Sequence, residues 1–439
     1  MKYMKVLFLT TYNVPINKEH FFTKSVWQGL CAYFSGLASD RLLLATIFET
    51  HNSEPVKVLT EICDEKEYYQ IFLPANLESH EKVGEISKFF GLISPTIIHS
   101  NMVETFDVQA AKSLNIPIVL TMHIGGLVCP RGGGSGFLKY DDSICNQSVS
   151  NQCLRCCSEE LPFPSISYLL EKIVHRDVKC LLSKVLCNRQ ILYLTPFLQK
   201  SFSVENRVEA IRILKYATII AANQKLVSLL ALNGLQDNVK LIPHGVNPRK
   251  KLKFPRVDGA VKFYFLGRIQ YSKGLHNVLL AFRDIPTNLY ELHIIGDAEN
   301  QGPSRRYDQY IRKIAKKINV YFHGRVPNDQ LDDIISELHV MIHPAIFHEI
   351  YGIAIAESLS MGRPVLATKC GGAEMQVIDG VNGWLVNQND VPALQKKILQ
   401  IIEKKSLLPA ISENCHLPHP LSEYTKNIYS LYKELSDEQ

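Results

Sequence analysis

The chain has 439 residues, 46% of them hydrophobic and 21% charged, with a formal net charge of +5. That length exceeds one ordinary core and predicts two α/β domains, and the balance of apolar and charged residues excludes a disordered chain. No apolar run reaches eighteen residues and no lysine or arginine block resembles a nucleic-acid arm, so neither a membrane span nor a nucleic-acid partner is expected.

In chain order, Lys2 and Lys5 precede Val6-Leu7-Phe8-Leu9 without a small-residue cleavage site, which reads as a first buried strand rather than a secretory signal. Phe22, Val26, Leu30, Tyr33 and Leu37 recur at helical spacing. Short β-branched runs follow at 42–48, 71–73, 96–99 and 116–122, alternating with helical patterns, as a parallel sheet covered by helices requires. Pro243, Gly245, Pro248 and Arg249-Lys250-Lys251 look like a linker, after which strands are predicted at 261–266, 292–295, 320–323, 340–343 and 364–368. The expected division is an N-terminal Rossmann-like domain over 1–245 and a C-terminal one over 246–421. A terminal helix over 422–439, carrying Tyr424, Ile428, Leu431 and Tyr432 at helical spacing, is expected to cross back onto the first.

Two clusters carry chemistry. In Phe265-Leu-Gly-Arg-Ile-Gln-Tyr-Ser-Lys-Gly274 a buried strand ends at Gly267, where backbone can approach a ligand closely. Arg268 can fork onto phosphate oxygens and Lys273 adds a point charge, which suits a diphosphate. A strand-end arginine is also an ordinary surface ion-pair partner. The second cluster, Phe347 to Glu357, sets Glu349 and Glu357 eight residues apart across Gly352 with a helix starting between them. Carboxylates accept from sugar hydroxyls, and the N–H groups around Tyr351, Gly352 and Ile353 offer a seat for phosphate or sugar oxygens. The alternative is a pair of solvated helix glutamates, although apolar residues flank Glu357.

These segments, with Ser358-Leu-Ser-Met-Gly-Arg-Pro-Val365, Gly371-Gly372-Ala-Glu374 and Asp379-Gly-Val-Asn-Gly383, resemble the retaining family-four glycosyltransferases of the GT-B fold. The resemblance covers the second half in order and is patchier in the first. It implies two Rossmann-like domains facing each other across a cleft, and a nucleotide-diphosphate sugar donor in the C-terminal one. It implies that Arg268 and Lys273 neutralise the diphosphate, that Glu349 contacts the transferred sugar, and that Glu357 holds the ribose hydroxyls. Gly267, Gly296, Gly371 and Gly372 belong by the same resemblance to the donor loops, and His123 is similar to the family's acceptor-side histidine. The family's retention is described as front-face substitution, with Glu349 orienting rather than forming an ester. The sequence has no Asp-any-Asp pair for a catalytic divalent ion, so no cofactor is expected to be required and the cations must meet the charge on the departing phosphate. Two departures are visible: no glycine pair over 11–24, and no second glycine after Gly296.

Eleven cysteines are present, five of them in one segment. Cys153-Leu-Arg-Cys156 has metal-knuckle spacing, and Cys129 with Cys145 would complete four thiolates for a structural zinc; buried or reactive thiols are the alternative, and disulfides a third. Gly132-Gly133-Gly134 reads as a flexible loop. Basic residues mixed with apolar ones over 172–215 could lie on an anionic membrane carrying a lipid-linked acceptor, or be the solvated faces of helices. The expected activity is retaining transfer to a glycan or lipid-linked acceptor in building a bacterial surface polysaccharide, in the cytoplasm or at the inner face of the membrane. A nucleotide-sugar epimerase or an inactive binding scaffold are the other readings. The base, the sugar, the acceptor and the oligomeric state are not legible.

Overall fold

The computed structural model describes residues 4–10, 29–37, 40–50, 57–63, 66–74, 76–101, 105–123, 127–131, 137–139, 141, 143–150, 152–158, 195–299 and 302–437. The chain divides into two compact units, one of residues up to Ile242 together with Ser422 onward, the other Pro243–Leu421.

Among the described residues the first unit has eight strands: β1 (Lys5–Thr10), β2 (Arg41–Thr50), β3 (Lys57–Cys63), β4 (Lys66–Pro74), β5 (Ile97–Ser100), β6 (Ile118–Thr121), β7 (Thr218–Ala221) and β8 (Val239–Leu241). They lie in the order β3-β4-β2-β1-β5-β6-β7-β8. Val6, Leu7, Phe8 and Leu9 of β1 are all fully buried, as a central parallel strand covered on both faces requires. The pairing is parallel except at the edge, where β3 runs antiparallel to β4 and departs from the expected all-parallel sheet. The helix Leu421–Asp437 belongs with this unit. It buries Tyr424, Ile428, Leu431 and Tyr432, of which the aliphatic Ile428 and Leu431 each contribute about 1.5–3 kcal/mol. Tyr429 fixes it further by donating to Asp40 Oδ2 at 2.7 Å.

Among its described residues the second unit carries six parallel strands: β9 (Val261–Leu266), β10 (Tyr290–Ile295), β11 (Val320–Gly324), β12 (Val340–His343), β13 (Val365–Thr368) and β14 (Gly383–Val386). Their order is β11-β10-β9-β12-β13-β14. Chain order therefore reverses between β9 and β12. In an open α/β sheet the crevice beyond the carboxyl ends of strands at such a reversal is where ligands bind. β12 and β13 are buried throughout. The all-buried Arg363 closes the bottom of this unit by donating to the carbonyls of Leu252, Lys253, Ile335, Ser336 and Met361 at 3.0–3.5 Å.

Of the residues read from the sequence, 11–28, 132–136 and 159–194 lie outside the described ones. With them fall Phe22 and Val26, the glycine run, the loop after β1 and most of the basic stretch. Arg207 and Arg212 of that stretch are described; Arg207 donates to the Leu127 carbonyl and Arg212 pairs with Glu209.

Candidate functional site

The second unit concentrates its unusual backbone at the reversal. Gly267, after β9, and Gly296, after β10, touch so closely that a Cβ on Gly296 would stand 1.9 Å from the Gly267 carbonyl oxygen. Gly274, at φ 72°, starts the helix Leu275–Phe282 against the Pro344 carbonyl, and Ile346 N–H donates to the Ser272 carbonyl. The loop after β9 is thereby stitched to the loop after β12, and Lys273 arrives beside Glu349.

That contact is the centre of the site. Lys273 Nζ donates to Glu349 Oε2 at 2.5 Å and lies 5.1 Å from the centre of the Phe347 ring. His343, the last residue of β12, brings Nε2 to 3.4 Å from the same oxygen. Burial pushes the Glu349 carboxyl up, but the Lys273 charge and His343 outweigh it and hold the group at about 2, so it is a carboxylate throughout the physiological range. Burial lowers His343 in turn, so the imidazole is held toward its neutral form. The cluster is thus one cation and one anion, both mostly shielded from water, with two of the three lysine hydrogens left for another acceptor.

The loop around it is held from β13. Glu349 N–H donates to the Cys370 carbonyl at 2.8 Å and Gly372 N–H to the Glu349 carbonyl at 3.0 Å. A Cβ at Gly372 would lie 2.3 Å from the Tyr351 carbonyl oxygen, so only glycine allows this approach. Gly371 N–H donates to Glu374 Oε2, and Gln376 Nε2 donates to the carbonyls of Tyr351 and Gly372. Gly352, at φ 85°, then turns the chain into the helix Ile353–Ser360, where Ile353 is the first residue and Glu357 the fifth. Tyr351 is buried against the His244 ring at 5.8 Å.

Glu357 pairs with a different cation. Its Oε1 accepts from Arg249 Nε at 3.2 Å, and Arg249 Nη1 also reaches Asp332 Oδ1 at 2.7 Å. Burial raises the Glu357 carboxyl while the Arg249 charge works against it. Arg268 stands apart, 71% exposed, with Glu299 at 3.8 Å. The structure therefore joins Lys273 to Glu349 and places Arg268 and Glu357 outside that contact. The residues that sequence reasoning missed are His343, Arg249, Asp332 and Gln376. Of these, His343 carried a signal, being the polar end of an otherwise apolar central strand.

His123 lies in the first unit, after β6, and pairs through Nε2 with Asn101 Oδ1 after β5. Burial lowers it to about 4, so it acts as a neutral polar contact. Its neighbour His99 is lowered to about 3, by burial and by His123, and is clasped between Tyr432 at 2.5 Å and Thr121 at 2.6 Å. Burial raises Cys145 and Cys153, with the neighbouring cysteines adding to the rise, which favours neutral thiols there. Cys129 Sγ accepts from Phe137 N–H at 3.5 Å. Among the described residues no group of three His, Cys, Asp or Glu side chains is disposed to hold a metal ion. None of the described helices is long and apolar enough to cross a membrane.

Comparison with known proteins places this geometry. Residues 247–416 match the family described as glycosyl transferases group 1. An uncharacterized glycosyltransferase of Methanocaldococcus jannaschii is 27% identical over 53% of this chain and 66% of its own length. The lipopolysaccharide 1,2-N-acetylglucosaminetransferase of Salmonella typhimurium is 27% identical over 39% of this chain and 51% of its own. The chain thus spans between half and two thirds of these relatives. Two solved structures share the fold over nearly the whole chain. The sucrose-phosphate synthase of Thermosynechococcus elongatus has a TM-score of 0.66 at 16% identity, covering 99% of this chain and 100% of its own. Anabaena HepE, solved with UDP and glucose, has 0.63 at 15%, covering 98% and 100%. The chain therefore has the fold of the GT-B glycosyltransferases.

Proposed function

We propose that the protein is a retaining, metal-independent glycosyltransferase that takes a sugar from a nucleotide-diphosphate donor bound in its second unit. The observation that carries this reading is the shielded Lys273–Glu349–His343 cluster at the carboxyl ends of β9 and β12, flanked by backbone that only glycine allows. Breaking the bond between sugar and diphosphate builds negative charge on the leaving phosphate. Lys273, fixed by Glu349, offers its other hydrogens to that charge without reorganising, and the start of the helix Ile353–Ser360 adds a favourable dipole. Glu349, held as a carboxylate, orients the sugar and steadies positive charge at its reacting carbon. Arg268, on its exposed loop, is proposed to close onto the diphosphate when donor enters. Gly267, Gly296, Gly371 and Gly372 let the ligand meet main chain.

His123 is proposed as a neutral hydrogen-bonding group toward the acceptor. A glycan or lipid-linked acceptor in surface-polysaccharide synthesis is supported by what two relatives are called, the Salmonella lipopolysaccharide enzyme and a capsular polysaccharide biosynthesis glycosyltransferase of Staphylococcus aureus. Work in the cytoplasm, at the inner face of a membrane, goes with that acceptor. Zinc on Cys129, Cys145, Cys153 and Cys156 is proposed only as a structural aid. It would require these thiols to ionise and close up, and metal analysis decides it, one ion per chain supporting it and none removing it.

The test is a melting screen against nucleoside diphosphates and their sugars, since a ligand at a hundred times its Kd adds about 2.7 kcal/mol. The expected result is protection by one nucleotide family and slow hydrolysis of its sugar, with the released or transferred sugar keeping its anomeric configuration by NMR. Absence of protection by every nucleotide contradicts the reading, and inversion contradicts its stereochemistry.

A further inference from the structure

We propose that Arg249 is a positioning residue for the nucleotide. It turns Glu357 so that the protein takes one carboxylate oxygen and the other is left for the ribose diol of the donor. This rests on the reading above, in which Glu357 meets the ribose.

Arg249 belongs to a run of three basic residues that has the look of a solvated linker, yet its side chain is 12% exposed. Nε donates to Glu357 Oε1 at 3.2 Å, Nη1 to Asp332 Oδ1 at 2.7 Å and to the Asn328 carbonyl at 3.4 Å, and Nη2 to Asn328 Oδ1. Its main chain is fixed as well. Arg249 N–H donates to Ser360 Oγ at 2.8 Å, and that hydroxyl donates back to the Arg249 carbonyl at 3.1 Å. The guanidinium is therefore aimed from one side by the helix that carries Glu357 and from the other by the segment around the helix Leu331–Ser336. A lysine could not serve these four acceptor atoms at once, because its three N–H donors sit on one nitrogen whereas the guanidinium spreads five over three.

The consequence falls on Glu357. Oε1 is occupied, whereas Oε2 has no partner among the described residues. A carboxylate with one oxygen pinned and one open accepts from vicinal hydroxyls in a defined orientation; a protonated one presents a donor and loses that match. Burial and the nearby Asp332 both favour the protonated form, and Arg249 is the cation that opposes them. Tyr264, the other titratable group facing Glu357, has its hydroxyl committed to Ser358 Oγ at 2.9 Å. Arg249 thus sets the direction of the proposed ribose contact and works against its protonation, without touching the ligand itself.

A purely structural staple would hold the same segments together, so the test must read ribose recognition. Binding of three probes is measured on wild type, Arg249→Met and Arg249→Lys: the nucleoside diphosphate that best protects the protein, its 2′-deoxy form, and inorganic pyrophosphate. Wild type should prefer the ribo form over the deoxy form by about tenfold. In Arg249→Met that preference should collapse while pyrophosphate binding holds, and what is left of the ribo preference should grow as pH rises and Glu357 ionises. Arg249→Lys should recover part of it. Equal loss of pyrophosphate and nucleotide binding in both variants would mark a staple and overturn the proposal, as would a ribo preference that Arg249→Met keeps. If wild type binds neither nucleotide nor pyrophosphate, the donor reading itself falls and this one with it. Wild type that binds the nucleotide without preferring ribose overturns this inference alone.

Discussion

Glu349 and Glu357 are both shielded carboxylates in one short segment, each paired with a cationic side chain, and they come out with opposite tendencies. Glu349 sits in a loop whose N–H and C=O are both claimed by the loop after β13, with Lys273 on its oxygen and His343 beside it, and it is held at about 2. Glu357 sits inside a helix, shares its arginine with Asp332, and is raised. The difference teaches that spacing along the chain does not set the chemistry of a carboxylate; the number of counter-charges it must share does. Glu349 is built as a permanent anion, Glu357 as one whose charge depends on a partner.

The variants that bear on this contrast fall in order of size. Lys273→Ala removes the cation from a shielded anion and from the proposed leaving group. Donor turnover should fall by about 10³-fold or more, and stability by about 3–5 kcal/mol, read by steady-state kinetics and denaturant unfolding. Retained turnover would break the contrast at its stronger end. Gly372→Ala comes next. Its methyl would overlap the Tyr351 carbonyl oxygen, so the 349–352 loop must move, and donor affinity should fall more than about tenfold with a stability loss of about 2 kcal/mol or more.

The acid limb of stability sharpens the comparison. Because Glu349 is lowered on folding, its contribution is complete above its unfolded value of about 4.5 and is lost as pH falls toward about 2. A shift of that size is worth about 3 kcal/mol. Glu349→Gln should therefore flatten the unfolding free energy between those pH values. Glu357, raised on folding, has the opposite sign: what it contributes is present below the unfolded value and declines as pH rises through its folded one. Glu357→Gln should leave the acid limb as steep as in wild type. The smallest effect is expected at Arg268→Ala, where an exposed pair at 3.8 Å is worth at most about 0.5 kcal/mol of stability. Donor protection should nonetheless diminish in that variant, which separates a ligand role from a stabilising one.

Much of the second sheet could be read from sequence. Val340–His343 and Val261–Leu266 are mostly apolar runs because both faces of a central parallel strand are covered, whereas a strand with one wet face would alternate. β3 escaped because it pairs antiparallel at an edge and carries no continuous apolar run. Lys273 and Glu349 could be read as charges beside glycines. Their mutual contact could not, since it depends on Gly274 seating one loop against Pro344 and on Gly372 seating another against Tyr351. Arg249 was hidden by its company, because a guanidinium among lysines in a Pro-rich stretch looks solvated until a fold supplies four acceptor atoms around it.

The most direct test of the central claim is calorimetric titration of the best-protecting nucleoside-diphosphate sugar into wild type and Lys273→Ala, with both shown to be folded by their unfolding transitions. The account predicts that affinity falls by about a hundredfold in the variant, equivalent to about 2.7 kcal/mol. An unchanged Kd would contradict it, because the Lys273–Glu349 contact would then be part of the scaffold and the diphosphate would have to be met elsewhere.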